Sequence, residues 1–412
     1  MPEHNQLTVF LRPAIRTNIC GKLSFVLMTV LLLLTLFGAS RAQEVLPDIP
    51  YILVDAADNT VISASRIHER WHPASLTKLM TAYVTFRAIQ NGEITIGSPV
   101  TITKNAARTP PGKMGYKEGT LLRYDMALYT LIVKSANDVA VALAESLAGN
   151  LPAFVSRMND EARRLGLTNT NFTNPNGLHD SQQYTSARDL VILSSAIWNE
   201  FPQYRQMFET PTIQAGTKKY TSYNFLLERF AGTTGMKTGF VCSSGYNIVA
   251  SAERGGKRLV VVVLGSASQT ERAEIAARLF LKGFENSSGQ PMASMPAPTT
   301  SMGPSDMRPI LCTEQARKSR YDPASENAVL KSKYLQPRSI TKQPFMIVTG
   351  NIDGEASPAW MAREFTPKRV PIPTKRPVYE IVNVDGDVIG SSTLRGTYPL
   401  PEKRPASADV DQ

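Results

Sequence analysis

The stretch Pro73-Ala74-Ser75-Leu76-Thr77-Lys78-Leu79-Met80-Thr81-Ala82-Tyr83 sets a serine and a lysine three residues apart at the head of an apolar run. Residues three apart on a helix lie one above the other on the same face. A neutral amine one turn from a hydroxyl can take its proton, and the positive end of the helix favours the negative charge that develops. Taken alone, the pair reads more simply as a serine cap beside a solvated lysine. Ser339-Ile340-Thr341-Lys342 repeats the spacing between Pro337 and Pro344, where a helix is not expected. What surrounds Ser75 must decide.

Upstream, residues 51–55 and 60–64 are β-rich runs on either side of Asp58-Asn59, a hairpin pattern. Downstream comes helical patterning, clearest over residues 76–89, 124–134, 139–148 and 151–165 and broken at Pro110-Pro111-Gly112. Residues 236–242, 245–252 and 258–264 then read as strands. Val260 to Val263 is apolar on both faces, as a central strand requires. Residues 271–284 read as a closing helix. Strands at both ends with helices between them predict an α+β fold: an antiparallel sheet flanked by helices and carrying an all-helical lobe.

Two further motifs sit inside that plan. Ser135-Ala136-Asn137 lies between helical segments, 60 residues after Ser75. It reads either as a capping box with Asp138 or as a turn pointing a hydroxyl and an amide into a cleft. Lys237-Thr238-Gly239 follows 102 residues later in a β-rich run. On an edge strand it offers a cation, a hydroxyl donor and a glycine that lets ligand backbone come close. A second cation near Lys78 would also depress that lysine's pKa, as a base role needs. Ser222-Tyr223-Asn224 and Ser325-Glu326-Asn327 repeat the serine-x-asparagine pattern, but neither leaves room for a helical lobe before the final strands.

The order and placement of the three motifs resemble the penicillin-recognising serine enzymes. The segment from Pro73 to Tyr83, Asn174-Pro175-Asn176-Gly177-Leu178, Tyr184-Thr185-Ser186-Ala187-Arg188-Asp189-Leu190 and Gly235-Met236-Lys237-Thr238-Gly239 resemble the serine D-alanyl-D-alanine carboxypeptidases over about residues 46–285. The resemblance implies a β-lactamase/transpeptidase-like fold and a serine peptidase that removes the terminal D-alanine of peptidoglycan stem pentapeptides, with β-lactams as inhibitors. It implies Ser75 as nucleophile, Lys78 as general base, Ser135 as proton relay and Asn137 as part of the opposite wall. Lys237, Thr238 and Gly239 would bind substrate, and backbone amides including that of Ser75 would form the oxyanion hole. No metal or cofactor is implied. That family's elongated β-rich C-terminal domain has no counterpart in the pattern here.

Composition bounds the alternatives. The 412 residues are 42% hydrophobic and 19% charged with a net charge of +10, too apolar for a disordered chain. The basic residues are dispersed, so nucleic acid is not an expected partner. Arg12, Arg16 and Lys22 precede an apolar run over residues 25–39, and small residues follow at Ser40 and Ala42. This run is shorter than the roughly 20 residues that span a bilayer, so residues 1–42 are expected to be a signal peptide and the mature protein periplasmic. Residues 43–286 would be the peptidase domain. The last 126 residues hold 16 of the 28 prolines, and residues 287–412 are expected to form a largely flexible Pro-rich tail with β-like runs at 345–349 and 378–390. Peripheral membrane association and oligomeric state stay open.

Rivals remain. His68-Glu69-Arg70-Trp71-His72 matches a zinc-protease pattern, but Pro73 would break the helix at the second ligand. A β-lactamase of the kind that uses an Ω-loop glutamate lacks its Glu-x-x-Leu-Asn between Asn137 and Lys237. An endopeptidase acting on cross-links is not separable from a carboxypeptidase at this level. A non-catalytic wall-binding module would not need Ser75, Lys78 and Ser135 together. His179-Asp180 reads as a surface turn. Cys242 and Cys312 could pair and staple the tail to the domain, but two free thiols are the expectation.

Overall fold

Strands β1 (Tyr51–Asp55) and β2 (Thr60–Ser65) form the expected hairpin, with Tyr51 opposite Ser65. Asn59 takes the left-handed φ of 58° that its turn needs, and Asp58 accepts the Thr60 amide. This is a computed structural model, describing residues 46–286, 288–296, 303–320, 332–336, 345–347, 379–382 and 388–392. The signal-peptide reading of residues 1–42 lies outside these.

The chain returns to the sheet as β3 (Thr233–Val241), β4 (Gly245–Arg254) and β5 (Lys257–Ser266). With a short β6 (Gln290–Pro291) outside β2, the order is β6-β2-β1-β5-β4-β3, every neighbour antiparallel. Val260 to Val263 are fully buried at its centre, as their apolar faces predict. Val260, Val262 and Leu264 join Ile52 and Val54 in a core that continues into the helices. Leu53 and Leu259 lie on the other face, against helix Gln269–Glu285. A Cβ at Gly283 of that helix would stand 2.7 Å from Leu259 Cδ1, so the missing side chain sets how closely helix and sheet approach.

The lobe is built on α1 (Thr77–Gln90), whose Leu79, Met80, Tyr83 and Phe86 are all buried. Burying one such side chain contributes about 1.5–3 kcal/mol, which anchors the first turn. Around it pack α2 (Asn137–Ala148), α3 (Leu151–Arg164) and α4 (Ala187–Glu200). Helix α4 is absent from the sequence-based segments. Its cap, Ser186 accepting the Asp189 amide at 3.2 Å, was readable in the chain.

Four details correct or refine the sequence reading. Residues 124–134 are not one α-helix: Tyr124–Tyr129 passes into a π-helical turn, Thr130–Lys134, which ends at Ser135 with φ 62°. Ser135 does not cap α2. Ala136 occupies that position, and Asp138 turns away to accept the amides of Met114 (3.1 Å) and Gly115 (2.9 Å). Residues 68–72 are a turn and an isolated bridge from Trp71 to Thr185, so His68 and His72 share no helical face for zinc. Finally, Cys242 and Cys312 are joined as a disulfide with Cα atoms 5.6 Å apart, where free thiols were expected. Sequence could not show that the chain brings those Cα atoms within bonding range.

Past residue 287, described parts of the chain lie back on the domain. Ser305 donates its amide to Arg70 O and its hydroxyl to Glu69, and Met307 donates its amide to Ser243 O at 3.0 Å. Met307 and Leu311 pack over Gly245, where a Cβ would meet Met307 Sδ at 2.6 Å. Residues 305–312 thus form a strap closed by the disulfide. Phe345–Ile347 pairs parallel with Thr212–Ala215, and Tyr379–Val382 pairs antiparallel with Val388–Ser392. Residues 383–387, within the expected run 378–390, lie outside the described residues.

Candidate active site

Ser75 sits in a 3₁₀ turn, Ala74–Leu76, immediately before α1. Neither this turn nor α1 is capped by a side chain, so the Ser75 hydroxyl is not spent on capping. Lys78 is 1% exposed, and its Nζ lies 3.0 Å from Ser75 Oγ. The same nitrogen donates to Asn137 Oδ1 at 2.8 Å and to the backbone oxygen of Asn176. Burial first, then the charge of Lys237, hold the Lys78 pKa well below the ordinary lysine range, against an opposing pull from Asp138. Two acceptors take two N–H bonds of a neutral amine. Its lone pair is then left facing the serine hydroxyl, the arrangement a base requires.

The loop Asn174-Pro175-Asn176-Gly177 braces this corner. Thr81 Oγ1 donates to Pro175 O at 2.6 Å, and Gly177 N donates to Asn174 Oδ1 at 2.7 Å. Ala74 has a left-handed φ of 48°, and its carbonyl occupies the space that a side chain at 177 would fill. A Cβ on Gly177 would lie 1.9 Å from Ala74 O. Asn247 secures the approach, donating to His72 O at 3.0 Å and accepting the Gly265 amide at 2.9 Å.

Across the groove, the left-handed Ser135 turns the chain so that Asn137 reaches Lys78 while its own Nδ2 donates to Pro111 O at 3.0 Å. Edge strand β3 forms the third side. A Cβ at Gly239 would stand 3.0 Å from Ser75 N, which shows how closely this strand passes the serine turn. Lys237 is 3% exposed and donates to Thr238 O at 3.0 Å. Burial, then the buried Arg272, press its pKa down to about 7. Arg272 itself is lowered to about 10 by burial, with Tyr246 opposing. An anion arriving here would meet cations already stripped of water, which strengthens the attraction.

The structure therefore brings Ser75, Lys78, Asn137 and Lys237 around one groove, with Ser135 and Thr238-Gly239 beside them in the chain. Sequence reasoning gave no role to the Asn176 carbonyl, Arg272 or Asn247, and read Asp138 only as part of a capping box. Asn176 lay in a segment already noted for its resemblance, but a backbone oxygen has no residue signature. His179-Asp180 does form a turn, with Asp180 accepting the Gln182 amide, and His179 Nδ1 meets Ser243 Oγ at 2.9 Å.

A six-stranded antiparallel sheet with a helical lobe and a groove along its edge strand defines the penicillin-binding-protein fold. The chain belongs to the D-alanyl-D-alanine carboxypeptidase family, whose model matches residues 41–268. It is 37% identical over 241 residues to the D-alanyl-D-alanine carboxypeptidase DacA of Haemophilus influenzae, covering 57% of this chain and 61% of that one. It is 36% identical over 243 residues to DacD of Escherichia coli, covering 57% and 63%. The chain thus spans about six tenths of these relatives' length. Among solved structures, penicillin binding protein 5 of Haemophilus influenzae superposes with a TM-score of 0.56 at 36% identity, covering 59% of this chain and 73% of that one. Penicillin-binding protein D2 of Listeria monocytogenes in its cefotaxime-bound form gives 0.54 at 27% identity, covering 58% and 99%.

Proposed function

We propose that this chain is a serine-type D-Ala-D-Ala carboxypeptidase that trims the terminal D-alanine from peptidoglycan stem pentapeptides. The observation that carries the reading is Lys78 Nζ, fully buried beside a second cation, 3.0 Å from Ser75 Oγ. Ser75 Oγ attacks the carbonyl of the penultimate D-alanine while Lys78 takes the hydroxyl proton. The C–N bond then breaks, and the proton passes through Ser135 to the departing amine, leaving an ester on Ser75. Water adds to the ester with Lys78 again accepting a proton. This releases the shortened peptide and restores the serine.

Lys237, with Thr238, receives the terminal carboxylate. A carboxylate beside Lys237 favours its charged form and offsets the effect of burial and Arg272. Gly239 leaves room for substrate backbone along β3, and Asn137 holds Lys78 from the opposite wall. A β-lactam offers the same acyl carbon but keeps its amine tethered, so it should acylate Ser75 and stay. Relatives named as carboxypeptidases and a neighbour solved with cefotaxime support this. A peptidoglycan substrate fits export through residues 1–42 and work in the periplasm.

The test is the intact mass of the mature protein after incubation with benzylpenicillin, beside Ser75→Ala. A stable adduct of the drug's mass on the wild type alone is expected. No adduct with the drug left unchanged would sink the acyl-enzyme reading, and rapid drug hydrolysis would point to a β-lactamase.

A further inference from the structure

A contact joins chain segments from the two walls of the groove. On the Ser135 wall, Lys134 is half-buried, and its Nζ donates to Tyr223 Oη at 3.3 Å. The same ammonium lies 5.5 Å from the ring centroid of Tyr220 and 5.6 Å from that of Tyr223. Among the described residues Lys134 has no carboxylate partner, so these rings and one hydroxyl hold its head. On the Lys237 wall, Arg272 donates to Tyr223 O at 2.9 Å, and Asn224 Nδ2 donates to Gly235 O at 2.9 Å, two residues before Lys237. Tyr223 is thereby pinned to the strand that carries the carboxylate seat. Tyr223 is 45% exposed, so its ring is not part of the core.

The position of the contact gives it a meaning. In the acyl-enzyme reading, on which this inference rests, the carboxylate seated at Lys237 belongs to the residue that leaves. Whatever that residue carries beyond a methyl group must pass between Ser135 and Lys237; Lys134 is the chain neighbour of Ser135, and Tyr223 is held near Lys237 through Asn224 on Gly235. A terminal D-alanine ends at its methyl and carboxylate. The leaving residue of a cross-linked peptide carries a long side chain that continues into a second stem. We propose that Lys134 and Tyr223 are specificity-determining residues: they close the leaving-group end of the groove, admit a terminal D-alanine and exclude cross-linked peptides.

The experiment measures kcat/KM of the full mature chain on two purified fragments, a monomeric pentapeptide and a cross-linked dimer, with products resolved by mass. Tyr223→Ala should raise the dimer-to-monomer ratio by about tenfold, the scale on which a pocket discriminates by size. Lys134→Ala should raise it less. Tyr223→Phe, which keeps the ring and loses the hydroxyl, should lie between wild type and Tyr223→Ala. kcat/KM on the monomeric pentapeptide should stay within about threefold in all three, since a terminal D-alanine ends at its methyl and carboxylate. An unchanged ratio in Tyr223→Ala with pentapeptide turnover intact overturns the gate and leaves the peptidase reading standing. Failure of wild type to acylate overturns that reading instead. Should Tyr223→Ala not fold, Lys134→Ala decides in its place.

Discussion

The groove and the strap of residues 305–312 meet at one end of the same edge strand, Lys237 in one and Cys242 anchoring the other, yet different forces hold them. The groove is a set of buried basic groups whose positions are dictated by backbone oxygens and missing side chains: the Asn176 carbonyl on Lys78, bare Gly177 under Ala74, bare Gly239 beside Ser75. The strap is held by one covalent bond, two backbone hydrogen bonds, the Ser305 hydroxyl on Glu69 and the packing of Met307 and Leu311. In the groove, displacement by a fraction of an ångström changes chemistry. In the strap, the same displacement changes only how much the contact stabilises.

That contrast can be broken most forcefully at its chemical end. Lys78→Ala should lower the rate of benzylpenicillin acylation about a thousandfold or more while circular dichroism reports a native fold, because the base is gone and the lost partner was buried. Near-normal acylation would mean another group takes the proton. Gly177→Ala comes next. The added methyl carbon must push the Asn176 loop or the Ser75 turn aside, and acylation should fall about a hundredfold, the scale of a 1 Å misplacement, along with Tm. A variant that keeps both would show that the loop is not what holds Lys78.

The pH dependence sharpens the electrostatic part. Lys78 must be neutral to act, so kcat/KM rises as pH climbs through its depressed pKa. Lys237 must be charged to seat a carboxylate, so the rate falls as pH climbs through about 7 in the free enzyme. Arg272→Gln removes a like charge, raises the Lys237 pKa and should move the falling limb to higher pH. An unmoved limb would assign it to another group. The smallest effect on chemistry belongs to the strap. Cys242→Ser or a reductant should cost about 2–4 kcal/mol of unfolding free energy for this loop, yet leave acylation within about threefold. A large loss of acylation would abolish the distinction between the two regions.

Much of this was legible from the chain. The Asp58-Asn59 hairpin, the central valines and the three motif segments carry short-range patterns, and sheet, lobe and groove follow from their order. What escaped reading depends on distance in space. Asp138 beside Ser135 matches a capping box in sequence, but the 112–115 loop supplies competing amides, and they win. The disulfide escaped because 70 residues separate its ends and no periodicity reports their approach. The role of Asn176 escaped because its backbone, not its side chain, meets Lys78.

Under the proposed function, that last contact limits how resistance to β-lactams could arise. Codon changes replace side chains and leave carbonyl oxygens in place, so no single substitution deletes the Asn176 oxygen from the Lys78 amine. Shifting the loop as a whole is blocked by the Ala74 carbonyl filling the space beside Gly177. Drug escape within this groove is therefore channelled toward its rim, where side chains can change without disturbing the base.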